Sequence, residues 1–167
     1  MKKKDKKTEN NQKLCDLRQL ARKAKEDGDI EAATKYYEQV AQEDPTDWES
    51  RFYSAYFAAH QIKLLEIADG CSQITYVLDP VFGLIKQDVS DEEEQKKACD
   101  EVITKVYEFD DLIVSNVSDN MGDLFSDLYE ILEAREYMLV VCAHCVNKYF
   151  PDQAIAEELT GRDEREP

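Results

Sequence analysis

The chain has 167 residues, 43% of them hydrophobic, with only five Gly and four Pro, which suits one globular helix-rich domain and excludes a disordered chain. The net charge of −16 is uneven: residues 1–25 hold 10 Lys/Arg against 3 Asp/Glu, and residues 26–167 hold 11 against 34. An acidic body disfavours nucleic acid as a partner, because a phosphate backbone needs a cationic surface.

Residues 1–12 open with MKKKDKK and read as a disordered basic tail, solvated rather than bound. A first helix is expected near Lys13–Glu26, with Leu17 and Leu20 on one face. Asp27-Gly28-Asp29 makes a turn, since Gly accepts the left-handed conformation that ends helices. A second helix, near Ile30–Glu43, carries the stripe Ile30, Ala33, Tyr37 and Val40, and Pro45 stops it. Thr46 or Asp47 can cap a third helix that starts at Trp48, carries Phe52, Tyr53, Tyr56, Phe57 and His60, and continues towards Ile67.

Asp69-Gly70 reads as the next break. Ile74, Val77, Leu78, Val81, Leu84 and Ile85 then form a helical stripe, which Pro80 either kinks or restarts behind an Asp79 cap. Ser90-Asp91-Glu92-Glu93 reads as a capping box for a helix reaching about Ser115, with Val102, Val106, Phe109 and Ile113 inward. Asn116–Gly122 reads as a turn. The last long helix is expected near Asp123–Phe150, central in a bundle because Tyr137–Val146 is apolar almost all round. A short helix follows Pro151 to about Thr160, and residues 161–167 form a frayed acidic tail. No stretch alternates as a strand does.

The hairpin LRQLARKAKEDGDIEAATKYYEQVAQEDP, from Leu17 to Pro45, resembles a tetratricopeptide repeat. Leu20, Gly28-Asp29, Ala33, Tyr37 and Pro45 match the family pattern. Leu17 stands where Trp is usual, Ala21 replaces a Gly, and Ala24 replaces a large aromatic residue. Trp48–His60 resembles the first helix of a second repeat, with Ala55 at a small contact position. The signature fades beyond Ile62, so about one and a half repeats are legible. DWESRFYSAYF and a DEEEQKKA helix together resemble uncharacterised bacterial repeat proteins. The expected fold is all-α: tetratricopeptide-like hairpins over 13–67 packed on a helical bundle half over 68–160.

The resemblance implies a non-enzymatic protein–protein interaction module, an adaptor that holds a partner segment in a helical groove. Arg18, Arg22 and Lys25 share one face of the first helix, and Phe52, Tyr53 and Tyr56 follow on the third. Cations beside aromatic rings suit an acidic peptide, so these six are the candidate partner-binding residues, against a plain reading as a solvated face over an aromatic core. The alternative is self-association, with the C-terminal helices forming a homodimer. A metal-binding or enzymatic bundle is weaker still. Cys142-Ala-His144-Cys145 offers half a zinc site on an apolar helix, where Cys packs as a small hydrophobe. The abundant acidic pairs match no catalytic or calcium-loop spacing. No cofactor or metal is therefore expected. The ten-residue apolar run is too short for a membrane span, which needs about 20 residues. Five Cys without framework spacing, and no apolar stretch after the basic start, point to reduced thiols and a cytoplasmic setting.

Overall fold

The computed structural model describes residues 2–63, 66–120 and 127–151, with the side chains of residues 2–10 excepted. It is all-α, with six helices and no strand among the described residues. They are α1 (Lys2–Asp27), α2 (Ile30–Glu43), α3 (Trp48–His60), α4 (Ile67–Asp88), α5 (Glu92–Asp119) and α6 (Leu128–Tyr149). Helices α1 to α4 pack in chain order, each against the next, and α6 packs most closely on α4.

Local chemistry explains most boundaries. Gly28 takes φ 71° and reverses the chain between α1 and α2. Asp29 caps α2 by accepting from the Ala32 amide at 3.0 Å, and Asp47 caps α3 through Ser50 at 2.8 Å. Asp91, rather than Ser90, caps α5 by accepting from the Glu94 amide at 3.0 Å. Gln95 then ties that start to the end of α4, donating to the Val89 carbonyl at 2.6 Å.

Several elements differ from the sequence reading. The basic run from Lys2 continues α1 as helix, as its Lys-rich composition and lack of Gly or Pro permit. Gly70 is no break. It lies inside α4, where an added Cβ would meet the Phe109 ring at 3.2 Å, so the glycine admits close packing of α5 on α4. Pro80 also sits within a continuous α4. Helix α3 ends at His60, and α5 runs on to Asp119, through the start of the expected turn. The expected helix to Thr160 and the tail at 161–167 lie outside the described residues.

The core runs through all six helices. Phe52, Tyr53, Ile74, Leu78, Phe82, Ile113, Ile131 and Met138 are almost wholly buried within it. Ile131, Met138, Cys142, Cys145 and Val146 face inward from α6, while Tyr137 and Val140 face out. That helix thus has one buried face and is not central. At the start of the α4–α6 pair Glu66 and Asp69 lie beside Asp127 and Glu130; further along, Asp79 accepts from Lys148 and Phe82 meets Phe150. The two helices therefore run in the same direction, in direct contact, and α5 touches both less extensively.

Candidate functional site

The three cations of α1 meet carboxylates from the α2–α3 connection and from α3 and α5. Arg18 donates through Nε to Asp47 at 2.6 Å and through Nη2 to Asp44 at 2.6 Å. Arg22 grips one oxygen of Glu49, through Nε at 2.9 Å and Nη2 at 2.7 Å. Lys25 bridges Glu49 at 3.2 Å and Glu101 at 3.0 Å, with its Nζ 4.2 Å from the centre of the Tyr53 ring. The carboxylates of the chain itself thus occupy the strip expected to receive an acidic partner.

The aromatic members of the expected site lie beneath this ladder. Phe52, Tyr53 and Tyr56 are buried, and their rings pack with Tyr37 and Phe57 in a continuous column. Apart from the face of the Tyr53 ring under Lys25, only hydroxyls reach the carboxylates above. Tyr37 donates to Glu49 at 2.8 Å, Tyr53 donates to Glu101, and Tyr56 lies 3.4 Å from Glu108. Burial raises all three phenol pKa values, and the adjoining carboxylates raise them further, so the hydroxyls stay protonated donors. Burial works against ionisation of Glu49. The Arg22 hydrogen bond, the Lys25 and Arg22 charges and the Tyr37 hydroxyl outweigh it and hold that carboxyl below its ordinary range. The six expected residues are thus one cluster, knitted together by internal partners.

The opposite side of α3 is different. There an open groove of about 590 Å³ has α2 and α4 as walls and α3 as floor. Small Ser54 and Ala55 keep the floor low, Glu38 stands on the α2 wall, and Asp69, Ser72, Gln73, Tyr76 and Val77 line the α4 wall. Tyr76 is 81% exposed. Among the described residues neither Glu38 nor Asp69 has an ion-pair partner. The sequence shows Ala55 as a helix contact, Asp69 as part of a break and Val77 as part of the apolar stripe, so nothing in it joins these residues into a groove. Their one signal was Tyr76, an aromatic residue off the apolar stripe of α4.

Within Cys142-Ala-His144-Cys145 the two Cys pack inward as small hydrophobes, while His144 is exposed. Both thiols are buried, which raises the pKa of Cys142 and pushes that of Cys145 to about 11. Cys71, raised to about 11, and Cys99, raised to about 12, are buried likewise. Among the described residues no three His, Cys, Asp or Glu side chains are placed to hold a metal ion, and no helix is long and apolar enough to cross a membrane. Comparison with known proteins finds no matching protein family, curated protein or solved structure.

Proposed function

We propose that the protein is a non-enzymatic interaction module of tetratricopeptide-like hairpins that holds a partner segment in the groove between α2 and α4. The observation that carries this reading is the groove itself: an open channel of about 590 Å³ along three helices, with a small-residue floor and an exposed ring on its wall. Its two carboxylates favour a segment bearing Lys, Arg or an amino terminus, which could also stack on Tyr76. That reverses the charge expected from the α1 strip, whose cations already face Asp44, Asp47, Glu49 and Glu101. Cys71, Cys99, Cys142 and Cys145, packed in the core as thiols rather than disulfides, favour a reducing, cytoplasmic setting.

A photo-crosslinking residue at Tyr76, introduced in the native cell, tests the reading. A discrete adduct is expected from Tyr76 and none from exposed Lys97 on α5. The adduct should vanish when Glu38→Lys and Asp69→Lys are combined. Equal labelling from both positions, or an adduct indifferent to the charge reversal, would remove the groove as the binding site.

A further inference from the structure

Helix α6 carries a second surface of a different kind. A surface helix ordinarily turns its polar residues to water. The outer face of α6 instead shows Tyr129, 78% exposed, Leu132, 44%, Tyr137, 63%, and Val140, 57%. With 3.6 residues per turn these four fall in one sector, directly opposite the buried Ile131, Met138, Cys142 and Cys145. The stripe is about 17 Å long, counting 1.5 Å per residue. Single exposed apolar side chains need no explanation, but four in one line form a patch.

The charges within the stripe identify its occupant. Glu133 and Glu136 lie in the same sector, exposed, and among the described residues neither has an ion-pair partner. The cations of α6 are engaged elsewhere: Arg135 with Asp110 on α5, and Lys148 with Asp79 on α4. A two-fold pairing of α6 with a second copy, centred on the stripe, would set Glu133 and Glu136 against the same residues of the copy. Like charges in a desolvated interface are repulsive. A helix that brings its own cations would meet the same carboxylates favourably.

We infer that the outer face of α6 docks an amphipathic helix of another protein, apolar along one stripe and lined by Lys or Arg. Tyr129, Leu132, Tyr137 and Val140 receive its apolar side chains, and Glu133 and Glu136 its cations. This docking is independent of the α2–α4 groove.

The test uses the full chain and three fluorescent peptides of about 18 residues, long enough for helical docking. The first has a Leu stripe flanked by Lys; the second replaces Lys with Glu, and the third replaces Leu with Ser. Anisotropy titration is expected to show binding of the first peptide alone. Tyr137→Ser with Val140→Ser should weaken it by about tenfold or more, on the scale of interface anchors. Glu133→Lys with Glu136→Lys should do the same. All these residues are exposed, and circular dichroism verifies the fold of each variant. No binding of the Lys peptide, equal binding of the Glu or Ser peptide, or indifference to either α6 double variant overturns the inference. So does sedimentation showing a dimer that Tyr137→Ser with Val140→Ser converts to monomer, because the occupant is then a second copy.

Discussion

Glu49 is the residue on which the ion-pair ladder turns, and removing its carboxylate measures what the ladder contributes. Glu49 accepts from Arg22, Lys25 and the Tyr37 hydroxyl, and its own side chain is only 12% exposed. Glu49→Ala leaves the Tyr37 hydroxyl, on a residue 2% exposed, without its acceptor, a loss of about 1–3 kcal/mol. The two cations keep access to water, Arg22 at 58% exposure and Lys25 at 24%. Their pairs therefore contribute only about 0.2–1 kcal/mol each. The expected destabilisation is about 1.4–5 kcal/mol, read as a lower urea midpoint by circular dichroism. Melting should fall by roughly 3–20 °C in a chain of this size. Glu49→Gln, which keeps an acceptor for Tyr37 and loses only the charge, should cost about half as much.

The pH dependence gives an independent check. The folded pKa of Glu49 lies below the ordinary value of 4.5. A depressed carboxyl contributes stability above its unfolded pKa and loses it as pH falls through the folded pKa. The gap between the native chain and Glu49→Ala should therefore be full at neutral pH and narrow as the solution is acidified below 4.5. A loss under about 0.5 kcal/mol, within the range of ordinary surface substitutions, would refute the reasoning. So would a gap that persists undiminished at acid pH.

Thiol titration of the native chain should detect Cys15 rapidly and the other four only on unfolding, because Cys15 is exposed and Cys71, Cys99, Cys142 and Cys145 are buried; several fast thiols would contradict that packing. Asp110 is 6% exposed and paired with Arg135, so Arg135→Met should cost about 3–5 kcal/mol by stranding a buried carboxylate, and adding Asp110→Asn should restore much of it in a double-mutant cycle. Gly28→Ala should cost about 1 kcal/mol by urea unfolding although a Cβ there meets nothing, because φ is 71°; no change would mean the turn relaxes.

The parts of the fold legible in the sequence are those fixed by local chemistry. Gly28, Asp29, Pro45 and Asp47 act within a few residues of themselves, and the helices they bound lie close to where periodicity placed them. The misread parts depend on distant neighbours. Gly70 looks like a helix stop by composition, but its role is to admit Phe109 from 39 positions later in the chain. Tyr137–Val146 reads as apolar all round, and only packing on α4 and α5 decides that Met138 and Cys142 turn in while Tyr137 and Val140 turn out.

The α1 strip illustrates the same limit for function. Periodicity puts Arg18, Arg22 and Lys25 on one face, and the structure does gather them with Tyr53. Their carboxylate partners lie 24 to 76 residues away, so no local pattern announces that the cations are engaged. The pairing changes what the surface offers. Once these cations are matched, the charges without an ion-pair partner among the described residues on both proposed docking surfaces are carboxylates: Glu38 and Asp69 in the groove, Glu133 and Glu136 on α6. A cationic segment would find acceptors at both places, whereas an acidic one would first have to displace Glu49 from Arg22 and Lys25. With the ladder closed, both proposed surfaces would suit basic partners, although Arg18, Arg22, Lys25 and the aromatic residues beside them would by themselves suit an acidic one.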